Sequence, residues 1–305
     1  MDLKQIDYFL ALAREGNMTR AARQLNVVQP ALSMQIGRLE RHFGKSLFDR
    51  TPHGMHLTPA GRTLLEHAAA IRREVDRTTE EMSRLDGRIS GRVAIGMITS
   101  AAQSTLASSS AKVAERYPEI RLLVCEGYTD TLVEWVGAGN IDGAFVNMPK
   151  VPASLAGHAV LEEDMMFAFG AGNARTFPKR VSLDTVAGLG LVIPSRRHGL
   201  RKILDDAASE AGFVLKPRLE IDTLSAVCEI VATTDLVTVL PGVALYRALA
   251  DRRLQARKIV GPTVSRSVAW VTNPRRIVSA AVTAVVDIIA DDLISAASAA
   301  ARAAR

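Results

Sequence analysis

Cysteine is scarce in this sequence, and long apolar runs are missing from it. The two cysteines, Cys125 and Cys228, lie far apart and have neither CxxC spacing nor a histidine partner. A disulfide framework or a zinc site is therefore not expected. Both thiols are interpreted as packed groups in a reducing cytoplasm, with redox sensing as the minor alternative. No apolar run approaches the length that spans a bilayer, and the charged, amphipathic residues 1–17 do not resemble a signal peptide.

The common catalytic motifs are also missing. The sequence contains no GxSxG, HExxH or GxxxxGK[ST] pattern, and its GAGN segments at 137–140 and 170–173 lack the GxGxxG spacing. The consecutive acids Glu162, Glu163 and Asp164 are interpreted as a solvated edge. The sequence therefore predicts no catalytic residue, no metal site and no cofactor, and it does not favour an enzyme.

Length and charge indicate a multidomain protein with a basic N-terminal end. A chain of 305 residues is long enough for two or more domains. The net charge is +6, and Lys and Arg outnumber Asp and Glu by nine to five over residues 1–62. Most of the positive excess therefore lies in the first fifth of the chain, where nucleic-acid binding is the function that it favours.

Residues 18–43 contain two short apolar-periodic segments that meet at a break. Thr19 is predicted to cap the first helix, and Pro30 suits the first turn of the second. The apolar positions are Ala21, Ala22 and Leu25 in the first segment and Leu32, Ile36, Leu39 and Phe43 in the second. A preceding helix with a stripe of Leu3, Ile6, Leu10 and Ala13, beside Phe9, would complete a small core. The pattern is typical of a helix-turn-helix, and a helical hairpin with a solvated face is the alternative.

The segment AARQLNVVQPALSMQIGRLERHFGKSLFDR, followed by LTPAG, resembles the N-terminal domain of LysR-type transcriptional regulators. The resemblance follows the whole chain in length and order of elements and is specific over about the first ninety residues. It implies a winged helix-turn-helix that binds double-stranded promoter DNA. Val28 stands where the family usually has a capping Ser or Thr, and Met34 and Gly37 stand where it often has basic residues. The helix is expected to survive these departures, because a lost cap costs on the order of 1 kcal/mol.

The DNA contacts are expected on the second helix and on a β-hairpin wing that follows it. Residues 45–57 predict the hairpin, with a turn at 51–54. Arg50 and His53 on this wing are expected to contact phosphates or a minor groove. The full set of predicted DNA-binding residues is Thr19, Gln29, Pro30, Ser33, Met34, Gln35, Arg38, Arg50 and His53.

A long helix with a heptad seam is predicted after the wing. Thr58 is the expected N-cap and Pro59 the first helical residue, and the helix is expected to end at Asp86-Gly87. The seam predicts a dimer, or a tetramer built as a dimer of dimers, and a helix packed on its own domain is the alternative. The predicted dimerisation residues are Leu64, Ala68, Ile71, Val75, Met82 and Leu85, with Thr78 as a weak position between them.

From Gly91 onward, short apolar strands alternate with amphipathic helices, which predicts parallel sheets covered on both faces. The two sets of strands resemble the two-lobed effector domain of the same family, which is similar to periplasmic solute-binding proteins. The Ala-rich tail Ser295–Arg305 is expected to fray. The predicted domains are a DNA-binding domain at 1–58, a linker helix at 59–90 and an effector domain at 91–305, with lobe I at 91–161 and 268–305 and lobe II at 162–267.

Hydroxyl groups follow several of the predicted strands, where ligands of open α/β sheets lie. Each hydroxyl is alternatively a helix cap. The turn 194–201, which carries three arginines and a histidine and is weakly similar to the nitrogen-assimilation and cyanate regulators, favours a small anionic effector. The predicted effector-binding residues are Thr99, Ser100, Thr129, Ser195, His198, Arg201, Thr223 and Ser225, of which His198 is favoured as a cap.

Together these features predict a cytoplasmic transcription regulator that changes its DNA binding when an effector enters the cleft between its lobes. The competing hypothesis is a two-lobed solute-binding protein or enzyme without a DNA role, which would leave the helix-turn-helix and the seam unexplained.

Overall fold

The computed structural model describes residues 1–51, 54–85, 88–148 and 152–304, without the side chains at 80, 81 and 83–85. The chain divides into two compact units, Met1–Arg88 and Ile89–Arg305. His53, the centre of the predicted wing turn, and the predicted end of the long helix at Asp86-Gly87 lie outside the described residues.

Three helices form the core of the first unit: α1 (Leu3–Glu15), α2 (Met18–Gln24) and α3 (Gln29–Phe43). The cap of α2 is Asn17 and not Thr19, because the Asn17 side chain accepts hydrogen bonds from the Thr19 and Arg20 N–H groups. Val28 precedes α3 without any side-chain cap, as expected from its chemistry. The helix-turn-helix is therefore confirmed, and the position of its first cap is corrected by two residues.

The apolar stripes of these helices differ from the predicted ones at their ends. Helix α1 buries Ile6, Phe9 and Leu12, whereas Leu3 is exposed in the first turn. Leu10 and Ala13 are only half-buried, because α1 turns its Ile6–Phe9–Leu12 side to the core. In α3 the buried stripe ends at Leu39, and Phe43 is exposed because Gly44 ends the helix in the left-handed region. The remaining members of the predicted α3 stripe, Leu32 and Ile36, are buried.

The predicted wing is present as an antiparallel hairpin of β1 (Phe48–Thr51) and β2 (Gly54–Leu57). The Met55 N–H group donates a hydrogen bond of 2.8 Å to the Gly16 carbonyl oxygen, which joins the hairpin to the α1–α2 turn. A Cβ atom at Gly54 would lie 2.5 Å from this same oxygen, so a glycine is required there.

Helix α4 (Pro59–Leu85) begins where the sequence predicts. The Thr58 hydroxyl oxygen accepts a hydrogen bond from the Gly61 N–H group and donates one to the Ser46 carbonyl. Leu64 and Ala68 are buried in the core of α1–α3, so their predicted place at a dimer interface is corrected. They face this core because α1 packs along the first half of α4. Ile71 packs against the edge of the same core.

The second unit is a mixed α/β structure. Its elements are β3 (Gly91–Met97), α5 (Thr99–Arg116), β4 (Ile120–Glu126), α6 (Thr129–Ala138), β5 (Gly143–Asn147), β6 (Ala156–Gly170), β7 (Arg180–Ser182), α7 (Leu183–Ala187), β8 (Val192–Ile193), α8 (Gly199–Glu210), β9 (Leu219–Glu220), α9 (Leu224–Thr233), β10 (Val237–Pro241), α10 (Gly242–Ala250), β11 (Leu254–Val260), β12 (Ser265–Thr272) and α11 (Ala280–Ala303).

The long strand β6 passes through both lobes of this unit. Up to Asp164 it pairs with β12, which continues through β5 and β3 to the edge strand β4. From Met165 it pairs with β10 and β11, and β11 continues to β7, whereas β8 and β9 form a separate pair. The prediction of purely parallel sheets is wrong, because β6 and β12 are antiparallel neighbours that carry the chain between the lobes.

Helix α11 extends through the segment that was expected to fray. Ala296, Ala297 and Ala300 are buried, and Ala300 belongs to the core of the second lobe. Their small side chains give little apolar periodicity in the sequence, although they allow α11 to pack closely against α10. The prediction for the tail is therefore wrong.

Candidate DNA-reading surface and effector site

Helix α3 presents a polar face opposite its buried Leu32–Ile36–Leu39 stripe. Gln29, Pro30, Met34 and Arg38 are exposed along this face, and Ser33 is half-buried at its edge. The predicted residue Thr19 lies beside it, because its hydroxyl donates a hydrogen bond of 3.4 Å to the Gln29 side-chain oxygen. The start of α2 and the start of α3 thus meet at one surface.

Gln35 differs from the other predicted reading residues. Its side-chain oxygen accepts a hydrogen bond of 3.3 Å from the Gln5 amide of α1. Gln5 in turn belongs to a capping box with Asp2 at the start of α1. The Asp2–Gln5 spacing is a readable signal for such a box, but the contact with Gln35 spans 30 residues and has no local signal in the sequence.

The wing contributes Arg50, which is exposed on β1 across from Met55. His53, the other predicted wing contact, lies outside the described residues. A guanidinium on an exposed hairpin beside a helix-turn-helix can pair with a phosphate, since such contacts position a protein on the duplex.

In the second unit, four helices that follow strands have no cap from the residue before them; at α10 the Glu163 side chain accepts from the Val243 N–H group instead, and the other three have no such acceptor in the described residues. These three are α5, α6 and α9, which follow Ile98, Tyr128 and Thr223. Thr99 is half-buried in the first turn of α5, whereas Thr223 and Ser225 are exposed at the start of α9. The Thr129 hydroxyl accepts a hydrogen bond of 3.3 Å from the Asn147 N–H group. The predicted hydroxyls are therefore not caps at α5, α6 and α9.

Ser100 is buried beside an arginine that sequence reasoning missed. One nitrogen of Arg266, Nη1, donates to Ser100 Oγ at 2.8 Å and to Asn147 Oδ1 at 3.0 Å. The other guanidinium nitrogens donate to Glu163 Oε1 at 2.9 and 2.6 Å. Glu163 also accepts from the Val243 N–H group at 3.0 Å, so its interpretation as a solvated edge is wrong.

Arg201 is paired inside the second lobe. Its side chain is buried and donates to Asp205 at 2.8 Å, to Glu220 at 2.9 Å and to the Pro194 carbonyl at 3.3 Å. All three acceptors belong to the second lobe, so the guanidinium forms its hydrogen bonds inside that lobe. The prediction that Arg201 contacts the effector is therefore corrected to an internal ion pair.

Ser195 belongs to a contact between the two lobes. Its N–H group and its hydroxyl both donate to Asp222, at 2.8 and 3.1 Å. Tyr128, at the start of α6 in the first lobe, donates to the same carboxylate at 3.0 Å. Burial alone would raise the pKa of Asp222, but the hydrogen bonds from Ser195 and Tyr128 outweigh it and lower the pKa. Asp222 is therefore an ionised acceptor that joins the lobes.

His198 is the cap of α8, as the sequence favoured. Its Nδ1 atom accepts a hydrogen bond of 3.2 Å from the Leu200 N–H group. The ring is 95% buried and stands edge-on to the Tyr128 ring, with centroids 5.7 Å apart. Burial is the largest cause that lowers the pKa of His198; Asp222 opposes this effect and the Arg266 charge adds to it.

Neither of the two cysteines is one of the residues described above for the contact between the lobes. Cys228 is buried in the second lobe, and burial raises the pKa of its thiol to about 11. Cys125 is half-buried on the edge strand β4. Among the described residues, no group of His, Cys, Asp or Glu is arranged to hold a metal ion, and no helix is long and apolar enough to cross a membrane.

Residues 3–62 match the family described as "Bacterial regulatory helix-turn-helix protein, lysR family", and residues 86–293 match the "LysR substrate binding domain". The chain belongs to the LysR family of transcription regulators. It is accordingly a DNA-binding transcription regulator with an effector-binding domain.

Relatives across this LysR family agree with the two matches. The nitrogen assimilation regulatory protein Nac of Escherichia coli (strain K12) is 27% identical over 270 residues, which cover 88% of each chain. The regulator YofA of Bacillus velezensis is 32% identical over 263 residues, which cover 85% of each chain. The structure of full-length CbnR in complex with its target DNA superimposes with a TM-score of 0.65 at 20% identity, over 97% of this chain and all of CbnR, and shows the shared fold.

Proposed function

We propose that this regulator reads promoter DNA with α3 and the β1–β2 wing, and that a small anionic effector bound between the lobes of the second unit controls that reading. The observation that carries the DNA part is the exposed face of α3, which lies opposite a buried apolar stripe. A helix with such a face can enter a major groove, where Arg38 is able to donate to guanine.

The proposed reading residues on α3 are Gln29, Pro30, Ser33, Met34, Gln35 and Arg38, with Thr19, Arg50 and His53 around them. Gln35 is less available for base reading than its neighbours, because its side-chain oxygen already accepts a hydrogen bond from Gln5. Met34 and Gly37 bring no charge to the centre of the face, so sequence preference depends on Arg38 more than it would with a basic residue at either position.

The Arg38→Ala variant tests this assignment in a footprinting and binding experiment on the DNA upstream of the native gene. We expect a loss of about 1–3 kcal/mol, since a bidentate base contact has this value. Arg180→Ala removes the same charge from an exposed site on β7 and should bind like the wild type. Equal affinity and an unchanged footprint for both variants would refute the assignment of α3.

The proposal of an anionic effector is supported by three uncapped helix N-termini in one unit, at α5, α6 and α9. Free N–H groups at the start of a helix favour negative charge. The proposed contacts are Thr99, Ser100, Thr129, Ser195, His198, Thr223 and Ser225. Because Arg201 is paired inside the lobe, the proposal of an anionic effector rests on the helix N-termini and not on this guanidinium.

The proposal also includes the domain boundaries, the self-association and the location of the protein. We propose a DNA-binding domain at 1–58, a linker at 59–90 and an effector domain at 91–305, with lobes divided at 161/162 and 267/268. Self-association through α4 would give a dimer or a dimer of dimers. Binding to the bacterial chromosome supports a cytoplasmic location, and the regulator is proposed to turn over no substrate.

A further inference from the structure

The hydrogen bonding of His198 determines which of its ring nitrogens carries the proton. Nδ1 accepts from the Leu200 N–H group and therefore has no hydrogen of its own in the neutral ring. Burial and the nearby Arg266 charge lower the pKa of this imidazole, which favours the neutral form at pH 7. The ring hydrogen of neutral His198 then lies on Nε2.

This Nε2–H donor is buried and has no hydrogen-bond partner within the part of the chain that the structure describes. An unpaired buried donor costs roughly 1–3 kcal/mol, and most buried polar groups in proteins have partners. The donor therefore requires an acceptor that the protein itself does not supply.

The surroundings of the ring place this donor at the contact between the lobes. The hydrogen bond from the Leu200 N–H group holds Nδ1 of the ring at the first turn of α8. The ring of Tyr128 from the first lobe stands against it. A Cβ atom at Gly199 would lie 3.2 Å from Asn147 Nδ2, so the first lobe approaches the start of α8 closely.

We propose that His198 is a specificity-determining residue, which donates its Nε2–H to an oxygen of the effector, beneath a clasp formed by Tyr128 and Asp222. The inference rests on the proposed effector site and deepens it. It assigns the effector an oxygen acceptor, as in a carboxylate or a phosphate group, and it assigns Tyr128 the role of holding the second lobe over that oxygen.

The donor chemistry of Nε2–H requires an acceptor atom and not a cation. Arg266 is paired with Glu163, and Asp222 already accepts from Ser195 and Tyr128. A ligand ammonium can only donate hydrogen bonds, so it offers no acceptor to the Nε2–H group. A carboxylate or phosphate oxygen instead accepts from His198, and Tyr128, whose ring stands against His198, directly precedes the uncapped start of α6.

The first test observes the ring directly, by nitrogen-15 NMR of the full chain with labelled histidine. His198 is assigned by comparison with His198→Asn. We expect the Nε2–H tautomer, and we expect its proton to shift downfield on addition of sodium acetate or inorganic phosphate but not of methylammonium chloride. The acetate and phosphate arms distinguish the two kinds of acceptor. An Nδ1–H tautomer, or the absence of any shift with either anion, would overturn the inference.

The second test separates the donor from the cap. Asn at position 198 can accept from the Leu200 N–H group, as Nδ1 does, but it lacks a donor at the Nε2 position; Gln places an amide N–H near Nε2 and loses the cap. We expect His198→Asn to bind the better of the two anions at least about tenfold more weakly than the wild type. His198→Gln should retain measurable binding, and the exposed His158→Asn should match the wild type.

These outcomes are distinguishable from a failure of the proposed function. If His198→Asn binds the anion like the wild type, His198 is only a cap and the effector site itself can still stand. If the wild-type chain binds the anion through His198 but its DNA affinity never changes, the inference stands and the proposed control of DNA binding fails.

Discussion

At the residue scale, the most demanding contact is the buried pair of Arg266 and Glu163. Both side chains are almost fully removed from water, and Glu163 also accepts a hydrogen bond from the Val243 N–H group in the first turn of α10. Taking two charges out of water is costly, and the pair offsets this cost only while both partners are present. Ser100 and Asn147 complete the hydrogen bonds of the guanidinium, so the pair connects β12, β6 and α5.

Replacing one partner alone should therefore be severe. We expect Arg266→Met to lower the free energy of unfolding by about 3–5 kcal/mol, because Glu163 is left charged and buried. The double variant Arg266→Met with Glu163→Gln should recover most of this loss, since the glutamine oxygen can still accept from Val243. Urea unfolding followed by the fluorescence of Trp135 and Trp270 measures both, and a double variant as unstable as the single one would contradict the argument.

The residue scale is also where the sequence misleads most. The surplus formal charge of the turn at 194–201 favours a ligand contact for Arg201, yet Asp205 and Glu220 pair with it from 4 and 19 residues away. Arg266 has no local signal in the sequence, because its partner Glu163 is 103 residues away. Counting charges along a segment cannot show such pairs, whereas local signals such as the His198 and Thr58 caps were readable because donor and acceptor are close in sequence.

At the element scale, the first turn of α4 lies very close to Leu47, the residue that directly precedes β1 of the wing. A Cβ atom at Gly61 would lie 2.1 Å from the Leu47 carbonyl oxygen and 3.0 Å from a methyl carbon of Leu57. The obstructing oxygen is backbone, which cannot rotate out of the way. Glycine in the segment LTPAG is therefore needed so that α4 can lie against the wing and bury Leu47.

We expect Gly61→Ala to destabilise the first unit by about 1–3 kcal/mol through this overlap. Gly37→Ala is the matched control, since a Cβ atom at Gly37 meets nothing within 4 Å. Alanine in the interior of a helix is favoured over glycine by about 1 kcal/mol, so the control should be neutral or stabilising. Thermal unfolding of the two full-length variants gives the comparison, and a Gly61→Ala protein as stable as the wild type would show that α4 can shift.

Elements with clear local periodicity were predictable, and elements defined by distant partners were not. The α3 stripe, the wing and strands such as β3 follow from apolar spacing and turn residues. The first half of β6 has neither an apolar run nor a regular alternation, because its three acids are consecutive, and it is ordered by pairing with β12, about a hundred residues later. The alanines at the end of α11 carry no apolar pattern at all, and their burial depends on α10 and the second lobe.

At the scale of the whole molecule, the apolar seam of α4 serves two different purposes. Leu64 and Ala68 complete the core of the first unit, and Ile71 covers its edge. Beyond Ile71 the described side chains of the seam are less covered within the unit: Val75 is half-buried, Thr78 is exposed and Met82 is 61% exposed. A heptad seam that continues past its own core favours a second helix, and a second copy of the chain supplies one with the same repeat.

We expect Val75→Asp to shift the full-length chain from dimer to monomer in light scattering at micromolar concentration. A carboxylate at this position would be desolvated and unpaired between two seams, which opposes association. Ala70→Asp adds the same charge on the exposed opposite side of α4 and should leave the dimer intact. Leu64→Asp is unsuitable for this test, since Leu64 belongs to the core of the unit and its loss would unfold it. A wild-type chain that is monomeric under these conditions, or a Val75→Asp chain that remains a dimer, would place the self-association elsewhere and refute the role of α4.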